Sequence, residues 1–186
     1  MKLDNMAYVR GAMEGDGYVD ICQTNPNIQL ETVSKEFANN FSNALLKIKL
    51  TPIRRTHFRK FSRLKYSWES SCYRVRATLK QKRLSEIQKY KLSSRKSKLS
   101  YLIGLYQAEG NLYIKKYPNR IFYNWRIING SKIILRRAKR ILKVFGIDSK
   151  IREYPPHVPT LETQNRKDIL RLINLGVIKA DFKDEK

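Results

Sequence analysis

Two carboxylates raise the first chemical question. Asp16 sits in the stretch YVRGAMEGDGYVDI at residues 8–21, and Glu109 in the stretch YLIGLYQAEGNLYI at residues 101–114. Both stretches run aromatic, apolar, glycine, helix formers, then an acid, a glycine and an alternating, strand-like tail. Small residues recur four apart in each, Gly11 with Gly15 and Gly104 with Ala108, which lets two helix backbones approach closer than the usual separation of roughly 8–10 Å. If the two helices pack through these stripes, Asp16 and Glu109 arrive side by side at one end of the pair. There they repel each other and meet the negative end of the helix dipole. A divalent cation relieves that conflict. Magnesium fits best, since it takes one or two carboxylates and completes its shell with water and phosphate oxygens, so a phosphodiester is the matching substrate. Solvated helix-end acids are the plainer account of either phrase alone; the duplication is what speaks against it.

The composition agrees with such a substrate. The 186 residues carry a net charge of +23 and a pI near 10.2, far beyond what solubility needs, while 41% are hydrophobic, enough for a folded core. A polyanionic partner, double-stranded nucleic acid ahead of a membrane surface, is the leading expectation. Between Glu36 and Asp148 the only acids are Glu69, Glu86 and Glu109, so Glu109 stands out within a long positive tract. Cys22 and Cys72 are too few and too far apart for a cysteine zinc site or a disulfide framework, and read as reduced thiols. No run is apolar enough to span a bilayer and no signal peptide is visible. The expectation is a protein of the prokaryotic or archaeal cytoplasm, or of an organellar matrix, with no membrane and no small-molecule substrate.

The elements that must position the acids also come in duplicate. SKEFANNFSNALLKIKL from Ser34 aligns with SKIILRRAKRILKVFGI from Ser131 at an offset of 97, against 93 for the acids. Apolar residues at helical spacing, Phe37, Phe41, Leu45 and Ile48, then Ile134, Ala138, Ile141 and Phe145, predict amphipathic helices. Ser34 and Ser131 are the expected N-caps and Gly146 a stop. KRLSEIQKYKL and RKDILRLINLG predict a third helix in each half. Between helices the period becomes two: Tyr73, Val75, Ala77 and Leu79 alternate with Arg74, Arg76, Thr78 and Lys80, and Ile121, Tyr123, Trp125 and Ile127 alternate with Arg120, Phe122, Asn124 and Arg126. The fold class is α+β: two pseudo-symmetric α-β-β-α-β-β-α halves packed through the acid-bearing helices, their antiparallel sheets forming a basic saddle. The halves are expected at 1–91 and 99–186, with LSSRKSK at 92–98 as linker.

Strands that bury one face and offer cations on the other suit a phosphate backbone. A solvated face normally mixes signs; here the expectation is that they do not mix. The residues expected to contact DNA are Arg54, Arg55, Arg59, Lys65, Arg74, Arg76, Lys115, Arg120, Arg126, Lys150 and Arg152. The third helices align at an offset near 82 (Ile87 with Ile169), which leaves about 15 extra residues in the first half, in a long basic hairpin within residues 54–76. Unequal hairpins predict unequal half-sites in a long, non-palindromic target.

VRGAMEGDG and LIGLYQAEG resemble the paired signature motifs of the LAGLIDADG homing endonucleases in their single-chain, two-motif form, and the likeness extends over nearly the whole chain. Arg10, Ala12, Met13 and Gly15 depart from the commoner residues of the first motif. The resemblance implies a monomer that makes a metal-dependent double-strand break with short 3′ overhangs. It also implies that Asp16 and Glu109 bind magnesium, with manganese or calcium able to substitute in binding, and that the carbonyls of Gly15 and Ala108 are further ligands. Thr32 and Asn129 stand where the family holds a water-positioning polar residue, and Lys80 where a lysine sits near the attacking water. In the second half Gln164 or Asn165 takes that place, so the lysine is missing. The rival expectations are an RNA maturase or DNA-binding protein of the same fold that does not cut, and a ribosome-associated structural protein.

Overall fold

The computed structural model describes residues 3–21, 25–63, 66–153 and 156–178, without the side chains of 61–68. Lys65 and Cys22 lie outside the described residues. The element order is α1 (Asn5–Glu14), β1 (Gly17–Asp20), β2 (Asn27–Thr32), α2 (Lys35–Lys47), β3 (Ile53–Arg63), β4 (Tyr66–Thr78), α3 (Gln81–Gln88), α4 (Arg95–Glu109), β5 (Gly110–Tyr117), β6 (Arg120–Ile128), α5 (Lys132–Val144), β7 (Lys150–Arg152), β8 (Thr160–Thr163) and α6 (Arg166–Asn174). This is α-β-β-α-β-β-α twice, with two four-stranded antiparallel sheets ordered β1-β2-β4-β3 and β5-β6-β8-β7. No described helix is long and apolar enough to cross a membrane.

The chain divides into two compact units, residues 1–108 and 109–186. In the first unit Ile28 and Leu30 of β2 and Val75 and Ala77 of β4 face Phe37, Phe41 and Leu45 of α2, all buried. In the second, Trp125, Ile127 and Leu161 meet Leu135, Ala138 and Ile141 of α5 and Ile169 and Leu172 of α6. Each fully buried side chain of this size contributes about 1.5–3 kcal/mol.

Local chemistry starts the helices. Ser34 Oγ accepts from Phe37 N at 3.1 Å, and Ser131 Oγ from Ile134 N at 3.5 Å. Asp4 caps α1 through Ala7 N, and its Oδ2 also accepts from the Tyr90 hydroxyl at 2.9 Å. At the head of α4, Ser94 and Ser97 cap reciprocally, each hydroxyl accepting the other's backbone N–H. The sequence reading gives residues 95–98 to a linker; this cap makes them the first turn of α4 instead.

Gly146 acts as the expected stop, and one further expectation changes. α5 stops before Gly146, whose φ of +68° is the left-handed region. Its counterpart at the offset of 97 is Lys49, at φ +62° without the glycine that would relieve it. Helices α3 and α6 align at 85 rather than 82: N-cap Lys80 matches Asn165, and buried Leu84 and Ile87 match Ile169 and Leu172. The first half therefore carries 12 extra residues, not 15, and they lengthen the β3–β4 hairpin, with strands of 11 and 13 residues against 3 and 4 in β7–β8. Buried positions i and i+3 recur along a helix, so an alignment of apolar residues alone slips by one turn.

Candidate nucleic-acid and metal site

Within the first unit, α1 and the body of α4 cross backbone to backbone, and the crossing is reciprocal. A Cβ on Gly11 would lie 2.1 Å from the Tyr101 carbonyl oxygen, and one on Gly104 would lie 2.3 Å from that of Tyr8. Only glycine allows this approach. The Tyr8 hydroxyl donates to Gln107 Oε1 at 2.5 Å and the Tyr101 hydroxyl to Glu14 Oε2 at 2.6 Å. Tyr8 and Tyr101, Gly11 and Gly104, and Glu14 and Gln107 are each 93 residues apart, so one local two-fold relates all three pairs. Burial holds the Tyr8 phenol protonated well above its usual range, with Glu36 adding to the shift. Arg10 donates from Nε to Glu14 at 2.8 Å and from Nη1 to the Tyr90 carbonyl oxygen at 2.5 Å, which fastens α1 to the chain just after α3. Its departure from the commoner motif residues is thus a structural tie.

Asp16 and Glu109 each follow their crossing glycine by five residues. Their local settings differ. Gly15 is the C-cap of α1, and Asp16 stands in the turn before β1 rather than in the helix. Gly17 closes that turn because a Cβ there would lie 2.4 Å from Met13 Cα. Asp16 keeps an open side to solvent, yet crowding by neighbouring atoms raises its carboxyl above the ordinary aspartate value. Glu109 is the last residue of α4, directly after Ala108. Asn129 Nδ2 donates to Glu109 Oε1 at 3.2 Å, while Asn129 Oδ1 accepts from Ser131 N at 2.8 Å. Buried Asn129 therefore ties the acid to the head of α5.

Thr32 makes the matching bond to the head of α2, its Oγ1 accepting from Ser34 N at 3.1 Å. A threonine has no second polar arm, and no hydrogen bond joins it to Asp16. Lys80 is exposed at the N-cap of α3 and forms no ion pair with Asp16 among the described residues. Of the two positions left open for its counterpart, Asn165 is the N-cap of α6, accepting from Lys167 N, whereas Gln164 donates to Glu162.

Strand register sorts the basic residues. On the first sheet, Arg55 and Arg59 of β3 share a face with Arg74 and Arg76 of β4, and with Gln29 and Glu31 of β2. Arg54 is set apart. It lies opposite core residue Val75 and donates to Ser42 Oγ at 2.7 Å and Asn39 Oδ1 at 3.0 Å, both on α2. On the second sheet, Lys115, Arg120, Arg126, Lys150 and Arg152 share one face with Tyr113, Tyr117 and Phe122. Lys115 and Arg120 both lie over the Tyr117 ring, 4.9 and 5.4 Å from its centre.

Each cationic face also holds acid, Asp20 and Glu31 on the first and Glu162 on the second, against the expectation that the signs do not mix. Arg74 donates to Glu31 Oε2 from Nε at 3.0 Å and Nη2 at 2.8 Å, and Arg59 Nη1 lies 3.3 Å from Oε1. The Arg74 hydrogen bonds hold the Glu31 carboxyl below its usual range. On the second sheet, Glu162 pairs with Arg152. The charge alternation of β4 and β6 conceals Glu31 and Glu162, which lie on β2 and β8.

A LAGLIDADG-like domain model matches residues 4–88 and 96–175. The chain belongs to the LAGLIDADG-like family. An uncharacterized protein of Methanocaldococcus jannaschii is 26% identical over 153 residues, 80% of this chain and 57% of the relative, so the chain spans little more than half the length of that relative. Among solved structures, the N-terminal LAGLIDADG domain of DUF199/WhiA superposes with a TM-score of 0.71 at 16% identity, covering 97% of this chain and 85% of the other. The homing endonuclease I-DmoI, in complex with DNA and manganese, gives 0.61 at 16% identity, covering 95% and 97%. These likenesses establish the fold, two-motif and α+β.

Proposed function

We propose that the protein is a site-specific homing endonuclease that cuts both strands of a long, non-palindromic DNA target in a divalent-metal-dependent reaction, leaving short 3′ overhangs. The observation that carries this reading is the reciprocal glycine crossing, with an acid five residues beyond each glycine and a strand pair with a cationic face after each acid. A protein that only bound DNA would gain nothing from two carboxylates in such company.

The residues suit a cation. Asp16 has its carboxyl raised by desolvation, a cost that a bound cation would relieve, and Glu109 is oriented by the side-chain amide of Asn129. Asp16 and Glu109, with the carbonyls of Gly15 and Ala108, would hold magnesium, and manganese or calcium would serve for binding. Such an ion supplies charge neutralisation at the phosphate and acidifies a bound water. The protein's own part is to seat the DNA backbone on the two cationic faces and to fix Glu109 through Asn129. Water attacks the scissile phosphorus in line, the bond to the 3′ oxygen breaks, and that oxygen leaves protonated as a 3′ hydroxyl.

The test is linearisation of a plasmid carrying the candidate intron-insertion site, which the DNA flanking the coding region would supply. Asp16→Asn and Glu109→Gln should each reduce double-strand cleavage at least about 100-fold while duplex binding is kept or strengthened. A wild-type protein that binds its duplex yet never cuts it with magnesium or manganese would move the assignment to a non-cleaving maturase or DNA-binding protein. One observation favours that second reading: the position matching Lys80 is Asn165, an uncharged residue whose side-chain oxygen caps α6.

A further inference from the structure

We propose that Glu31, His57 and Cys72 form a zinc site on the cationic face of the first sheet, separate from Asp16 and Glu109. Three adjacent strands bring the residues together. His57 of β3 lies directly opposite Cys72 of β4, and Glu31 of β2 lies opposite Arg74, two residues along β4 on the same face. One ligand atom from each, a carboxylate oxygen, an imidazole nitrogen and the thiol sulfur, lie within 4.8 Å of one another. His57 Nε2 and Glu31 Oε1 are 3.4 Å apart. Two ligands at Zn–N and Zn–O lengths of roughly 2.0–2.2 Å on a tetrahedron are separated by about 3.4 Å, so this edge is already the right length. Small side-chain rotations close the other two.

The donor set selects the metal. A thiolate and an imidazole favour zinc over magnesium, which would seek an all-oxygen shell. Thiolate plus carboxylate balance a dication. The surroundings also have the form of a support for a ligand: Arg74 grips Glu31 Oε2, leaving Oε1 directed toward His57, as an outer partner fixes a metal-binding carboxylate. Arg59, largely exposed, shares Oε1 and must swing away when an ion binds. Cys72 is 2% exposed and forms the floor, while Glu31 and His57, at 24% and 35%, form an open rim through which an ion enters and a fourth ligand, water or a phosphate oxygen, completes the shell. The sequence concealed this grouping because Cys72 has no neighbouring cysteine, and its partners lie 15 and 41 residues away.

Cobalt(II) titration of the reduced, metal-free full chain, without DNA, tests the proposal. The expected result is one equivalent of cobalt giving a near-ultraviolet thiolate-to-metal band and the strong visible absorption of a four-coordinate ion, both abolished by zinc. Cys72→Ser should remove the thiolate band and Cys22→Ser should keep it. His57→Ala and Glu31→Gln, at partly exposed positions that spare the core, should remove the four-coordinate visible spectrum. Arg74→Gln, which loses only the outer grip, should weaken cobalt affinity about 10–100-fold. No thiolate band in the wild type, or a band that survives Cys72→Ser, overturns the site. Cobalt held by Asp16 or Glu109 gives no thiolate band, so this outcome is independent of the nuclease assignment.

Discussion

The two halves share a plan and differ in how far each polar position is committed. In the second half Asn129 spans from the head of α5 to Glu109, whereas its counterpart Thr32 stops at the head of α2. The cross-strand pair Gln29–Arg76 of the first sheet becomes Arg126–Glu162 in the second, so a cation changes strands and gains an opposite charge across from it. The long β3–β4 hairpin corresponds to a β7–β8 hairpin of only seven strand residues. Duplication therefore preserved backbone geometry closely while side-chain chemistry drifted. The reason is physical: a glycine crossing tolerates no added atom, but a solvated sheet face accepts many polar exchanges.

The largest expected effect tests where the halves agree. Gly11→Ala and Gly104→Ala should each destabilise the protein by about 3 kcal/mol or more, since the new methyl meets a backbone oxygen that no rotamer can move. Urea denaturation measures this. A large loss for one and almost none for the other would break the reciprocity of the crossing. Asn129→Ala comes next. If it orients Glu109, the strand cut by the second half should be nicked about 10–100-fold more slowly, with Thr32→Ala giving the smaller loss, read by separate labelling of the two strands. Equal losses would erase the distinction between the two acids.

A smaller effect concerns the paired left-handed positions. Lys49→Gly should stabilise by up to about 1 kcal/mol, and Gly146→Ala should destabilise by about 1 kcal/mol, in thermal unfolding. The smallest effects are pH-dependent and opposite in sign. Glu31 has its carboxyl lowered in the fold, so its contribution is present above the ordinary value of 4.5 and is lost as pH falls through the folded value. Glu31→Gln should lower Tm slightly at neutral pH, by no more than about 1 kcal/mol of stability, with the gap closing in acid. Asp16 has its carboxyl raised, so ionisation works against the fold: its contribution is complete below 3.8 and is lost as pH rises through the folded value. In metal-free buffer Asp16→Asn should therefore raise Tm at neutral pH and match the wild type below 3.8. Parallel pH profiles for the two variants would contradict the environments assigned to both carboxylates.

Much of this protein can be read from residue order, because repeated spacing records repeated geometry. The acid–glycine phrases, Ser34 and Ser131 as caps, the two-residue period of β4 and β6, and the order of elements depend on neighbours within a few positions. What depended on register could not be read there. Arg54 and Arg55 are adjacent cations, yet one is bound to α2 and the other faces outward with Arg74, and only the pairing of β3 with β4 tells which. Glu31 is paired with Arg59 of β3 and Arg74 of β4 and lies beside His57, and Cys72 acquires a histidine and a carboxylate as neighbours, through contacts across 15 to 43 residues of chain. Likewise, the small residues of the helix stripes were visible in sequence, but the tyrosines that lock the crossing, each donating to a glutamine or glutamate on the facing helix, came only from tertiary packing. Sequence by itself determined the repeat, its caps and its acids; the tertiary structure decided which charges meet, since a side chain's partner across a sheet or helix pair depends on register and crossing point, which no local pattern encodes.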